Sequence, residues 1–578
     1  MLKQYNSKQV ACRLPEAVLR NIFFECVHLS IGSHDSECNS WSWVGISQVC
    51  SFWRTVAHSC AQLWRFIDFS HPWSWALTFE RAKMSPLHLD AFVKEHNTRL
   101  VQRTLQLAHR IQDIHIRASL QDIYPFLELL THPNPAVESL IVEVDIPKSR
   151  PFGKVYDRPL FPTCGPPLED LKYMELHSAP FYFLTPRCTH LTQFHLHDLP
   201  LTERPILRSF LFMLELLQDL EHLTIDRSFP INLELVEAGF LERCTLPKLK
   251  TISLVGSTIE VANILECLSF PPSVRLSIKI WTLSDSRNNA WKLSQWISSR
   301  GHGEGVQRVE KIILTGRETG TRFMADSLDL NPDYRQSLRI QTLNSRGHVM
   351  FDVAFEPYEH IADDELLVFL LTLILKGLPL ADIHTLSVRD LDFVTQKSWT
   401  QLLRSMSYLR VLDIAGRAPS GLAWALLLNA RLHNPECMVP DGSWNHGLLI
   451  PRLNDIYLRD VDCSSGGYML SRTAAINSYS DLDDSRFLDV INASLCERRE
   501  LGLYLRSMSI NQCEFVLKKS VDDARTVVAH LVCDVRRLLK DDDVDETRPA
   551  RYRNTWNFDH PLIAHYHRLH ALAMDSDF

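Results

Sequence analysis

The stretch Pro247-Lys248-Leu249-Lys250-Thr251-Ile252-Ser253-Leu254 sets the pattern for most of this chain. A proline turn delivers the backbone into Leu249, Ile252 and Leu254. The last two stand two residues apart, so they share one face of an extended strand while Ser253 takes the other. A helical stripe follows at Val261, Ile264, Leu265 and Leu268. The same spacing, apolar-x-x-apolar-x-apolar, recurs at Ile111/Ile114/Ile116, Val137/Leu140/Val142, Leu171/Met174/Leu176, Leu191/Phe194/Leu196, Leu220/Leu223/Ile225, Val309/Ile312/Leu314, Ile383/Leu386/Val388, Leu409/Leu412/Ile414 and Leu453/Ile456/Leu458. Proline turns also lead in at Pro166-Pro167-Leu168 and Pro451-Arg452-Leu453, and a stripe of Leu207, Phe210, Leu211, Leu214 and Leu217 precedes Leu220. A strand that buries one face and feeds a helix returning to a parallel neighbour is a right-handed crossover, and stacking such units buries a continuous core. The pattern predicts an α/β chain.

The phrase resembles the strand segment of a leucine-rich repeat. That resemblance implies an irregular solenoid over residues 71–520, with parallel strands on its concave face and helices on its convex face. Two departures mark the repeats as degenerate. Their starts are unevenly spaced, and the asparagine that closes the family's phrase is replaced by Ala179, Leu199, Ser228, Ser257, Arg317, Leu391, Arg417 and Val461. Past Ser520 a helix carrying Val527, Val528, Leu531, Val535 and Leu538 is predicted, followed by the acidic run Asp541-Asp542-Asp543-Val544-Asp545-Glu546. Residues 521–578 thus read as a capping helix and tail, which a solenoid needs at its end. Loops are predicted at Lys148–Pro167, Ser284–Asn289, Gly301–Gly305 and Asp460–Ser485 from their Pro, Gly, Ser and Asp content.

Upstream of the repeats the sequence changes character. Leu14-Pro15-Glu16 opens a helix, because Pro15 has a suitable fixed φ and Glu16 faces the positive end of the dipole. Val18, Leu19, Ile22, Phe23, Cys26 and Val27 form one apolar stripe on it. Ile46, Val49, Cys50, Trp53, Ala57 and Cys60 form a second, and Leu63, Trp64 and Ile67 follow in step. Helices this short are stable only by sharing apolar faces, so residues 11–70 read as a small bundle that leans on a partner or on the next domain. The order Leu-Pro-x-x-x-Leu-x-x-Ile-Phe, then Val-Cys-x-x-Trp-Arg, then Leu-Trp resembles an F-box, with a polar insertion at Leu29–Cys38. With the irregular repeats it is similar to a family of F-box proteins expanded in fungi. The resemblance implies docking on the Skp-type adaptor of a cullin-RING ubiquitin ligase through Leu14, Pro15, Leu19, Ile22, Val49 and Trp53.

Composition narrows the alternatives. The 578 residues carry 61 basic and 69 acidic side chains, a net charge of −8 with no basic block, so bulk attraction to nucleic acid or anionic membrane is not expected. The first residues hold no signal-peptide core, and fourteen scattered cysteines, several on apolar helix faces, suit reduced thiols in an intracellular protein, cytoplasmic or nuclear. The longest apolar run, Leu366–Leu375, falls short of the ~20 residues a bilayer needs and reads as a buried helix.

No motif for catalysis stands out: there is no Gly-x-Ser-x-Gly, His-Glu-x-x-His or dinucleotide fingerprint. Cys26-x-His28-x5-His34-x3-Cys38 lacks the Cys-x2-Cys clasp of a zinc site and reads as a helix cysteine beside a solvated loop. His565-x-His567-x2-His570 reads as a solvated helix face, and Gly301-His302-Gly303-Glu304-Gly305 lacks the Lys-Ser/Thr ending of a phosphate cradle. What the phrase does supply is a second strand face. By the period of two it gathers Glu175 and His177, Gln193, His195 and His197, His222, Thr224 and Asp226, Lys311 and Thr315, Thr385, Ser387 and Arg389, and Asp455, Tyr457 and Arg459. These are either solvated strand residues or a surface that grips a protein. The binding candidates are His195, His197, His222, Asp226, Arg389, Tyr457 and Arg459.

The expectation is therefore a non-enzymatic substrate receptor of an SCF-type ligase, with a Skp-type adaptor and through it a cullin on one side and a captured protein on the other. No cofactor, metal, nucleic acid or membrane enters it. The rival expectations are an interaction scaffold working outside a ligase and an α/β hydrolase-like enzyme.

Overall fold

A computed structural model describes residues 14–31, 42–67, 69, 72–94, 97–119, 121–123, 136–146, 168–179, 188–231, 243–282, 286–301, 308–316, 337–356, 364–433, 449–463, 486–535 and 538–539. The chain is α/β, built on mostly parallel sheet. It divides into two compact units, Met1–Trp296 with Gly303–Val306, and Ile297–His302 with Gln307–Phe578. That division differs from the sequence-based one at residue 70, because the amino-terminal helices belong to the first unit.

The first unit opens on α1 (Glu16–Ile31) and α2 (Ser51–Ser59). Pro15 accepts from the amides of Val18 and Leu19 through its carbonyl and so starts α1. Leu19, Phe23 and Val27, each one turn apart, are fully buried. Cys50 caps α2, its sulfur accepting from the Trp53 amide at 3.4 Å, and Trp53 meets Phe23 edge-on with centroids 5.2 Å apart. Trp64 is the deepest anchor: its Nε1 donates to the Ala57 carbonyl at 2.8 Å. Arg81, on α3 (Pro72–Ala82), lies over the Trp64 ring at 4.3 Å.

From there the helical module runs directly into a sheet. Strands β1 (Phe66–Ile67), β2 (Leu87–Phe92), β3 (Ile111–Ser119), β4 (Ser139–Asp145), β5 (Tyr173–His177), β6 (Gln193–His197), β7 (His222–Asp226), β8 (Thr251–Ser257) and β9 (Arg275–Thr282) pair in sequence order, all parallel. Successive strands carry alternating burial, and the buried face is the apolar one that the phrase marks. Helices α4 (Thr98–Leu105), α5 (Leu207–Glu215) and α6 (Thr258–Cys267) intervene, α6 lying against β8 and β9. A capping box starts α6, with Ser257 and Glu260 as its two members.

In the second unit, β10 (Lys311–Thr315) pairs antiparallel with β11 (Leu338–Leu343), which pairs antiparallel with β12 (Val349–Phe355). On its other side β10 begins a second parallel series, β13 (Thr385–Arg389), β14 (Val411–Arg417), β15 (Asp455–Asp462), β16 (Leu505–Asn511) and β17 (Val528–Asp534). Helices at Asp364–Lys376, Gln396–Arg404, Ser420–His433, Phe487–Glu500 and Lys518–Val527 each contact the next along the chain and form a layer. The run at Leu366–Leu375 lies on the first of these, with Leu367, Leu370, Leu371, Ile374 and Leu375 fully buried.

Every one of the ten phrases lies at a strand, and all thirty of its apolar positions are buried. Three sequence-based expectations are corrected. Ser284–Asn289 is not a loop throughout, since a helix begins at Ser286 and runs to Gly301. The helix past Ser520 stops at Val527; Val528–Asp534 is strand, where the β-branched residues Val528 and Val532 fit an extended backbone. The Asp460–Ser485 loop starts later, because β15 continues through Asp462. The Leu29–Cys38 insertion falls partly on α1, which reaches Ile31. The rest of it, Lys148–Pro167, the His302–Gly305 segment, Asp541–Glu546 and the His565–His570 cluster lie outside the described residues.

Candidate functional site

Two surfaces hold the residues singled out from the sequence. On the amino-terminal module Pro15 is exposed and Leu14 and Trp53 are half-buried. Val18 and Ile22, one turn apart on α1, are exposed by 41% and 37%, and Val49 and Phe52 by 51% and 41%. Large apolar side chains left out of the core of so small a module are surface that burial in the chain does not use. Leu19, expected in this contact, is instead fully enclosed and serves its own unit's core. Phe52 and Val18 are exposed apolar residues that the sequence reading did not assign to this contact. The apolar stripe marked Val18 without saying which edge of the stripe would stay outside.

The second surface is the other strand face of the first unit. Register sets it: Arg117, Glu143, His177, His197 and Asp226 stand directly opposite one another across β3 to β7, and His115, Ile141, Glu175, His195 and Thr224 form the next row. At one end His115 bridges two carboxylates, Nδ1 lying 3.1 Å from Asp90 and Nε2 3.0 Å from Glu143. In the middle Glu175 collects three neighbours. His177 Nε2 is 2.8 Å and His197 Nε2 3.7 Å from its Oε1, and the Tyr173 hydroxyl donates to its Oε2. The His177 and His197 rings stack, 4.5 Å apart and 11° from parallel, and His197 Nδ1 lies 3.4 Å from Asp226 Oδ2. The hydrogen bond from His177 holds the Glu175 carboxyl down at about 2, against the burial that opposes it, and the same bond raises His177. His195 goes the other way, lowered by burial; its Nδ1 meets Thr224 at 2.8 Å, and its buried Nε2 has no hydrogen-bond partner among the described residues.

Among the binding candidates, His195, His197, His222 and Asp226 thus occupy neighbouring strands of the first unit, His222 meeting Thr251 at 2.7 Å. Arg389, Tyr457 and Arg459 belong to the second unit, on β13 and β15. Arg389 and Tyr457 are exposed there, whereas Arg459 is engaged, its guanidinium gripping the buried Asp413 carboxylate in a bidentate pair. Asp455 is held likewise by Arg506 at 2.8 Å. Glu143, His115 and Asp90 extend the polar face, and the phrases at Ile114/Ile116 and Leu140/Val142 place the first two there by the same alternation. No protein-family model matches the sequence, and comparison with curated proteins finds no match.

Proposed function

We propose that this chain is the substrate-recognition subunit of an SCF-type ubiquitin ligase: an F-box module that docks a Skp-type adaptor, joined to a leucine-rich-repeat-like solenoid that holds a protein substrate. The observation that carries the reading is the exposure of four large apolar side chains, Val18, Ile22, Val49 and Phe52, and of Pro15, on one small helical module. The sequence-order parallel pairing in the first unit is the connectivity a solenoid requires, and it supports that part. Its polar strand face, lined by histidines and carboxylates, is the surface offered to the substrate. The chain then performs no chemistry itself and works where the ligase does, in the cytoplasm or nucleus. No helix among the described residues is long and apolar enough to cross a membrane.

The test is a pull-down with a purified Skp-type adaptor. Wild type should bind, and Val18→Asp/Ile22→Asp should lose binding at least tenfold while melting within a few degrees of wild type, because both side chains are exposed. Absence of wild-type binding, both to the adaptor alone and in cell lysate, would overturn the proposal. Co-purification of a cullin distinguishes a ligase subunit from a scaffold that uses the same module elsewhere.

A further inference from the structure

We propose that Glu175, His177 and His197 bind a divalent transition-metal ion of the zinc class. This goes beyond the adaptor-binding reading and stands independently of it. The ligand set is made by the sheet. Glu175 and His177 are two apart on β5 and so face the same side, and His197 is the direct register partner of His177 on β6. The donor atoms of the three lie within 4.8 Å of one another. Donors around tetrahedral zinc sit ~2.0–2.1 Å from the metal and hence about 3.3 Å apart, so closure needs only small side-chain rotations. All three are part-exposed, which leaves the fourth position to water or to a donor brought by a partner.

One tautomer of His197 fits the same site. A neutral imidazole carries one N–H. If His197 places it on Nδ1, toward Asp226 Oδ2 at 3.4 Å, its Nε2 turns a lone pair toward the Glu175 oxygen at 3.7 Å. A cation held between these two atoms would answer both lone pairs. One divalent ion satisfies all three donors. The surroundings already resemble a metal site's outer layer: Asp226 orients His197, and the Tyr173 hydroxyl occupies Glu175 Oε2, so that an ion would take the place of the proton between His177 Nε2 and Glu175 Oε1. Two imidazoles and a carboxylate favour zinc, cobalt, nickel or copper over magnesium or calcium.

The experiment titrates the full chain, stripped with chelator, with Co²⁺, following the visible absorption of tetrahedral cobalt and its displacement by Zn²⁺. Wild type should give a 1:1 cobalt spectrum that zinc abolishes and magnesium does not. His177→Gln/His197→Gln should weaken binding at least 100-fold, and Asp226→Asn by about 10- to 100-fold. His222→Gln, on the same face but outside the cluster, should bind as wild type. Zinc should also raise the melting temperature of wild type and not that of the double variant, which separates lost ligation from lost folding. A wild type without a cobalt spectrum or zinc-dependent melting shift, or a double variant that titrates like wild type, overturns the inference.

Discussion

His115 sits on the sheet's polar face between two carboxylates, Asp90 and Glu143. Burial opposes its charge, but hydrogen bonds to both carboxylates outweigh that and hold its pKa up at about 9. Because the folded value exceeds the unfolded one of 6.5, the stabilisation is complete below about 6.5 and is lost as pH rises through about 9. Glu143 sets the acid limit. The hydrogen bond from His115 lowers its pKa, so its contribution is present above the ordinary carboxylate range and fades as pH falls through it. The difference in unfolding free energy between wild type and His115→Gln should therefore be largest near pH ~6 and shrink markedly by pH ~9.5, as urea titrations at a series of pH values will measure. A difference that stays flat over that range would remove His115 from the network. Nothing in the chain around residue 115 announces this role. Alternation places the ring on the open face, and only the register of β2 and β4 brings its two carboxylates.

At the scale of the element, the feature shared by many strands is a left-handed residue two past the last of the alternating apolar positions. Ser178, Asp198, Arg227, Asp390, Asp460 and Gln512 have φ between 48° and 58°, and Gly416 has φ of 76°. The turn lets the amide of the left-handed residue reach the next strand: Ser178 donates to His197 at 2.8 Å, Asp198 to Asp226 at 3.0 Å and Arg227 to Val255 at 2.8 Å. The position after it is buried as Ala179, Leu199, Ser228, Leu391, Val461 and Cys513. Ser228 performs a polar bridging role there, accepting from the Leu199 amide and donating to the Asp226 carbonyl. At Gly416 a Cβ would also meet the Asp390 carboxylate, which accepts from the Arg417 amide at 3.0 Å and would have to move aside. Ser178→Val should cost over ~1 kcal/mol and Ser178→Gly less than ~0.5, because a β-branched side chain resists positive φ and glycine does not. Equal costs for the two in chemical denaturation would mean that the turn does not constrain the fold. The recurrent Ser, Asp or Gly at this spacing was legible in the sequence, as was the Asn344-Ser345-Arg346-Gly347 turn between β11 and β12. There the Asn344 side chain accepts from the Arg346 and His348 amides at 3.0 Å, building the hairpin that the repeat pattern passed over.

For the whole molecule, the amino-terminal module is structurally continuous with the first unit. Phe66 and Ile67 pair with His88 and Leu89, and Arg81 covers Trp64. A chain beginning at Pro72 loses Trp64 and Ile67 from its core and bares the edge of β2, an invitation to strand pairing between molecules. It should melt at least ~5 °C lower than the full chain or run as aggregate in size-exclusion chromatography; monomeric behaviour at an unchanged melting temperature would show the module to be separable. By itself the sequence determined the α/β class, the position of ten strands and the short amino-terminal helices, because burial repeats with the local period of the backbone and each residue's side follows from its neighbours. The tertiary structure alone decided the division into two units, the enclosure of Leu19 beside exposed Val18 and Ile22, and the meeting of Glu175, His177 and His197. Those depend on which strands lie side by side and in what register, and that is fixed by packing between segments far apart in the chain rather than by any local pattern.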